Sequence, residues 1–434
     1  MKPHEMGVAE AAQAIANRQM SSLELVSDCL AAIDRLEPSI QAWAFIDPEW
    51  ALQQAREMDR KTAQGLLHGV PIGLKDIIAC ADTPTAYGSA VYAGHRPPTD
   101  AACATLLKRA GAVLMGKTVT TEFAYFSPGK TRNPHNLAHT PGGSSSGSAA
   151  AVASCMVPAA LGSQTAGSLI RPASYCGVVG YKPTYGDFNL TGVKGLAHSL
   201  DTLGVLTRSV RDAGRMRSVL LGGRAGVAVN NNPRWAPAIG VCRTADWLSA
   251  SPHTRNGIEN IMLRLAESGA RVGDACLPAR FDTFAEGQKR LMAYEAARSL
   301  ASEYDHHAHQ LSDPLKQLIE LGLEVDIEEY GELRAAAEQG AHESAHVFEP
   351  WDVLLAPSAG DTAPLGISST GDPLFSRLWM FLGVPTLSLP ALTGANGLPI
   401  GIQLIGARFA DDRLLQAAAW IESTLQDSPA LLVT

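Results

Sequence analysis

Two glycine-rich turns, each carrying a serine, constrain this chain more than any other feature. PGGSSSGSAA holds Ser144 directly after the Gly142–Gly143 pair, and QTAGSLIRP holds Ser168 in the turn that follows the strand-like VPAALGSQ. Glycine lets backbone fold tightly at such places and aim N–H groups at a ligand. A third fragment, GVPIGLKD, sets Lys75 among apolar residues. Its pattern predicts a strand, with Lys75 and Asp76 on opposite faces, so the lysine need not pair with its neighbour.

The chain around these fragments alternates helix and strand patterns. Helices are predicted over 8–19, 22–36, 48–64 and 99–112, with Ser21 and Glu24 spaced as a capping box. AVLMGKT, VVGYKPTYG and DTLGVLTRSV read as strand pieces. Residues 222–236 are polar and glycine-bearing and read as a surface loop, and 252–345 read as mostly helical. WDVLLAPSA (351–359), LGVPTLSLPAL and LPIGIQLIGA return to strand before a last helix, DRLLQAAAWIESTL. This alternation predicts an α/β architecture with helices on the sheet faces. Strands at both ends imply one sheet assembled from both halves. We therefore expect one domain over 1–434: a core at 65–215, a variable helical insertion at about 222–345, and a C-terminal part, 350–434, in the same sheet.

Composition excludes several classes. With 46% hydrophobic and 18% charged residues the chain has material for a large core. A net charge of −8 without a lysine or arginine cluster argues against nucleic acid as a partner. No apolar run approaches the roughly 20 residues of a membrane span, and the N-terminus has no signal-peptide pattern, so no membrane partner and a cytoplasmic location are expected. The seven cysteines are scattered and lack CxxC spacing, which fits reduced thiols.

A lysine and two serines can cleave an amide. The reaction needs an activated nucleophile, a proton for the departing amine and donors for the oxyanion. Lysine can act as the base only when neutral, and bringing its pKa from about 10.4 to about 7 costs roughly 4 kcal/mol. Burial beside Val70, Ile72 and Leu74 is the right environment for that. A serine between lysine and nucleophile can pass protons both ways. Backbone N–H groups around Thr165, Ala166, Gly167 and Ser168 could stabilise the oxyanion, at roughly 2.7–4 kcal/mol per well-placed donor.

Taken together, residues 65–215 and the C-terminal LLAPSA…GDPLFSRLWMFLGVPTLSLP…GLPIGIQLIG region resemble the amidase signature family of serine hydrolases. The resemblance implies an α/β/α domain around a twisted mixed sheet, no cofactor and no metal. It implies a Ser–cisSer–Lys triad of Ser168 as nucleophile, Ser144 as relay and Lys75 as base, an oxyanion loop of Thr165, Ala166, Gly167 and Ser168, and an acyl-enzyme intermediate. Arg171, three residues after the nucleophile, resembles malonamidase-like members, where an arginine there engages a substrate carboxylate. The alternative is a structural arginine. Gly143, Tyr125 and Phe126 are further substrate-binding candidates. Expected substrates are linear amides, with esters, anilides and carbamates (urethanes) within the family's range. The rival activity is that of a glutamine-hydrolysing amidotransferase subunit with a protein partner. The helical insertion favours the free-standing hydrolase, for which a homodimer is an open assembly. Two departures stand out: SQTAGS replaces a loop that reads TDTGGS in the family, and Ser146 replaces a glycine. A left-handed backbone at Ala166 would be strained.

Other motifs carry less. HESAH (His342, Glu343, His346) matches a zinc-protease pattern but lacks a third ligand at a familiar spacing. DHHAH (305–309) reads as a solvated helix end. PGGSSSGS lacks the G-K-[ST] ending of a phosphate loop. Cys176 has no placed histidine partner and reads as a buried filler.

Overall fold

The two halves of the chain meet edge to edge inside one sheet. The computed structural model describes residues 2–223 and 235–426. Its strands are β1 (Trp43–Ile46), β2 (Pro71–Lys75), β3 (Val113–Thr118), β4 (Ala159–Gln164), β5 (Val179–Lys182), β6 (Thr202–Thr207), β7 (Ala238–Val241), β8 (Arg271–Asp274), β9 (Val353–Pro357), β10 (Thr386–Thr393) and β11 (Pro399–Ile405). They form an eleven-stranded mixed sheet in the order β1-β3-β2-β4-β6-β5-β10-β11-β9-β7-β8. The halves join where β5 pairs antiparallel with β10, Lys182 opposite Thr386.

β2 and β4 are parallel neighbours, Ile72 beside Ala159 and Leu74 beside Leu161. Every residue of both strands is buried, which is why they read as continuous small and apolar runs and not as alternating ones. Parallel neighbours end at the same edge of a sheet, and ligand crevices of α/β sheets open at such carboxyl ends. Lys75 closes β2 there, and the Ser168 turn leaves β4 there.

Helices cover both faces, as the alternation predicts. Ser22–Ile40 starts with the expected box: Ser21 Oγ accepts from Glu24 N at 3.0 Å and Glu24 Oε2 accepts from Ser21 N at 2.7 Å. The helix predicted over 48–64 stops at Asp59. The Asp59 carboxylate is taken up by the backbone N–H groups of Ser22 and Leu23, at 2.7 and 3.0 Å, so it caps a neighbouring helix. The helix predicted over 99–112 spans Ala102–Arg109.

The segment read as a helical insertion also supplies sheet. β7 and β8 run parallel and carry the sheet to its edge, joined by the helix Pro252–Glu267. Four-residue strands are too short to announce themselves by period. The helices that follow, Phe284–Ser299, Asp313–Glu324 and Ile327–Phe348, pack with Leu374–Phe381 around a second apolar cluster that includes Phe284, Leu291, Met292, Trp379 and Phe381. The helix Leu374–Phe381 meets the carboxyl end of β4, where Gln164 Nε2 donates to Met380 Sδ at 3.3 Å. Of the loop expected at 222–236, residues 224–234 lie outside the described residues. Among the described residues no helix is long and apolar enough to cross a membrane.

Candidate active site

Lys75 is fully buried. Its Nζ lies 2.6 Å from Ser144 Oγ and 2.8 Å from Ser163 Oγ. Ser163 is adjacent because β4 is the next strand. Burial pulls the Lys75 amine down to about 7, opposed by the charge of Asp201. Asp76 turns to the other face, as the strand pattern predicts, and lies 3.6 Å from the buried Lys117.

Ser144 follows a cis peptide bond from Gly143. Gly142 has φ +80°, a conformation that costs a side-chain residue dearly. Beyond the turn, a Cβ on Gly147 would stand 2.2 Å from Ala42 O, so only glycine fits there. The two serine turns are tied together: Ser145 N donates to Ser168 O at 3.1 Å, and Ser163 N donates to Ser145 Oγ at 3.2 Å.

Ser144, Thr165, Ala166, Gly167, Ser168, Arg171, Tyr125 and Phe126 line one pocket, with Ala124, Leu196, Met292, Thr370 and Pro373. Ser168 is 8% exposed at its floor. Tyr125 and Phe126 meet edge to face at 4.9 Å. They follow Phe123 and Ala124, two consecutive non-glycine residues of positive φ (45° and 61°). Gly143 does not line the pocket; its carbonyl accepts from Arg171 Nη2 at 2.7 Å.

Arg171 combines features of both readings offered for it. Nη2 donates to Gly143 O and, at 3.0 Å, to Thr370 Oγ1, which is an anchoring role. Nε and Nη1 are buried with no hydrogen-bond partner among the described residues. The residue is 2% exposed, and burial lowers its pKa to about 10. A buried guanidinium with two open nitrogens in a pocket wall suits an anionic ligand group.

Thr165 opens the loop ahead of Ser168. Its Oγ1 donates to Asp201 Oδ1 at 2.6 Å, and Asp201 Oδ2 accepts from Leu196 N and Ala197 N. Burial raises Asp201 to about 6, with those hydrogen bonds opposing. Sequence reasoning missed Ser163 and Asp201. The only signal was a polar residue at the end of an apolar strand (Ser163) or just before one (Asp201).

Both departures from the family loop are accommodated. Gln164 Oε1 accepts from Leu169 N and Ile170 N at 2.9 Å each, satisfying the first N–H groups of the next helix. Ala166 is not among the non-glycine residues of positive φ, so the expected strain is not incurred. Ser146 Oγ donates to Val119 O at 3.2 Å.

The remaining motifs are engaged elsewhere. Glu343 pairs with Arg280 at 2.6 Å and His346 with Glu349 at 2.8 Å, while His342 and His346 are exposed. His306 bonds Ser302 O. Cys176 is fully buried, its thiol pushed up by desolvation.

Comparison with known proteins gives the chain its relatives. Residues 24–415 match the family model described as Amidase. The chain belongs to the amidase family. "Putative amidase AmiD" of Mycobacterium tuberculosis (strain ATCC 25618 / H37Rv) is 34% identical, over 95% of this chain and 93% of that one. The A-type component of the glutamyl-tRNA(Gln) amidotransferase of Desulforapulum autotrophicum is 31% identical over 99% of each. A solved structure described as "Crystal structure of amidase" superimposes with a TM-score of 0.88 at 29% identity, over 97% of this chain and 100% of that one. This member of the amidase family is accordingly an α/β enzyme that hydrolyses amides.

Proposed function

We propose that this amidase cleaves linear C–N amide bonds through Ser168, Ser144 and Lys75 and an acyl-enzyme. The observation that carries the reading is the buried Lys75 amine, held near 7 and 2.6 Å from Ser144 Oγ, in a pocket shared with Ser168. Near neutral pH a large fraction of that amine is uncharged. It can then donate to Ser163 and accept from Ser144. As Ser168 Oγ attacks the carbonyl carbon, its proton passes to Ser144 and that of Ser144 to Lys75. The oxyanion faces the N–H groups of residues 165–168. The proton returns through Ser144 to the leaving amine, the C–N bond breaks, and an ester remains on Ser168. Water attacks that ester through the same relay and releases the acid. No step calls on a cofactor or metal. We read the chain as one domain, because both halves contribute strands to the sheet that carries the site.

The unpaired edge of Arg171 supports substrates that bear a carboxylate near the scissile amide. Tyr125 and Phe126 offer an apolar wall to the remainder.

The test is turnover of purified Ser168→Ala and Lys75→Ala on a panel of aliphatic amides, anilides, carbamates and malonamate. Each variant should keep its circular dichroism and lose about 10³-fold or more in kcat. Hydrolysis retained by Ser168→Ala would remove the nucleophile assignment.

The amidotransferase reading is favoured by the full-length similarity to the amidotransferase component of Desulforapulum autotrophicum. Ammonia release from glutamine only with a partner protein, and no turnover of the panel, would select it.

A further inference from the structure

The loop ahead of Ser168 has a further anchor. The carbonyl oxygen of Thr165 accepts from Gln288 Nε2 at 2.8 Å. Gln288 is 0% exposed on the helix Phe284–Ser299. Its Oε1 accepts from Arg377 Nη1 at 2.5 Å, and Arg377 is itself buried on the helix Leu374–Phe381. Arginine has no acceptor, so the pairing with Arg377 decides which end of the Gln288 amide meets Thr165.

The carbonyl that Gln288 holds belongs to the peptide unit whose nitrogen is that of Ala166. A peptide unit is planar, so fixing the direction of its C=O fixes the direction of its N–H. A hydrogen bond received by the C=O also polarises the N–H on the other side. The Thr165 side chain is held separately by Asp201. The unit is therefore clamped at both its side chain and its carbonyl. Packing alone does not call for Gln288: its helical neighbours Leu291 and Met292 are apolar, and an amide in such surroundings costs free energy unless its hydrogen bonds are made.

We propose that Gln288, oriented by Arg377, is a positioning residue that aims and polarises the Ala166 N–H at the oxyanion. This rests on the assignment of residues 165–168 as the oxyanion loop. It gives the helical segment 284–299 a part in catalysis through the loop, without contact with the reacting atoms.

The experiment compares full-length wild type, Gln288→Glu and Arg377→Lys. Gln288→Glu keeps the size and the Arg377 contact but presents an acceptor to the Thr165 carbonyl. Removal of a whole oxyanion donor costs about 10²–10³ in kcat, and a misaimed one should cost about tenfold or more. KM should stay within about twofold. The affinity of an aldehyde or boronic acid that forms a tetrahedral adduct on Ser168 should fall by the same factor as kcat, while that of the product carboxylic acid holds. Arg377→Lys should lose less than Gln288→Glu on both readouts. Folded variants with unchanged kcat and adduct affinity would overturn the proposal. So would equal losses in adduct and product affinity, or failure of both variants to fold, either of which assigns the chain of contacts to stability. Ser168→Ala separates the two levels. If it stays active, the loop assignment falls. If it is dead while Gln288→Glu matches wild type, only the positioning role falls.

Discussion

Asp76 follows Lys75 in sequence yet lies 3.6 Å from Lys117, on the opposite face of β2. The one-residue alternation of a strand thus separates two buried lysines by function. Lys117 has a carboxylate and sits at about 8. Lys75 has two hydroxyls, no ion-pair partner among the described residues, and sits at about 7. Of the two, it is Lys75 whose amine touches Ser144, one of the pocket serines.

A pH limb in kcat/KM follows from this. The base form of Lys75 is the neutral one, so activity should rise with pH and level off above about 7. Below that value kcat/KM should fall about tenfold per pH unit, since it reports ionisation of the free enzyme. A profile flat from pH 5 to 8 would show that no group of this kind limits the reaction.

Asp201 should move that limb. Its charge supports the protonated form of Lys75 against desolvation. Asp201→Asn removes the charge, so the limb should shift to lower pH, even as the rate drops from disturbance of the Thr165, Leu196 and Ala197 hydrogen bonds. A limb that stays in place or moves up would contradict the electrostatic coupling.

Arg171 separates two kinds of loss. A hydrogen-bonded charge pair contributes about 1.5–3 kcal/mol, or roughly 10–150-fold. Arg171→Lys keeps the charge but loses the planar fork. Malonamate should therefore suffer a selective loss in kcat/KM relative to a neutral amide of similar size. Equal losses on both substrates would confine Arg171 to holding Gly143 and Thr370.

Much of this site was legible because its chemistry is local. Ser144 and Ser168 advertise themselves by glycine-rich turns, and Lys75 by being a charge in an apolar strand. Arg171 was visible, but its division between two anchored bonds and two open nitrogens depends on Thr370, remote in sequence. Ser163 lies within an apolar strand pattern, and only the pairing of β2 with β4 brings it to Lys75. Gln288 and Arg377 lie on different helices far from the turns, and nothing in their local patterns marks them. In the fold, β7 and β8 are four residues each and escaped notice, and the helix from residue 48 ends at Asp59, whose carboxylate caps another helix. Those short strands apart, what the sequence hid was a contact between remote segments.

A last prediction concerns Lys182, which the proposed chemistry does not use. It is fully buried, bonds Pro183 O at 2.7 Å, and is pulled down to about 7 by desolvation, against the charges of Asp411 and Asp187. An unfolded lysine titrates near 10.4. Between about 7 and 10 the unfolded chain therefore binds more protons at this residue than the folded one, so its contribution makes folding more favourable as pH rises. Below about 7 both states are protonated and the full penalty of the buried charge remains. Lys182→Met removes that penalty at every pH. Its stability relative to wild type, from urea unfolding at pH 7, 8 and 9, should be most favourable at pH 7 and decline by about 1 kcal/mol per pH unit. Lost hydrogen bonding or altered packing would offset the comparison by a constant without changing its slope. A difference independent of pH would mean that Lys182 keeps an ordinary pKa inside the fold.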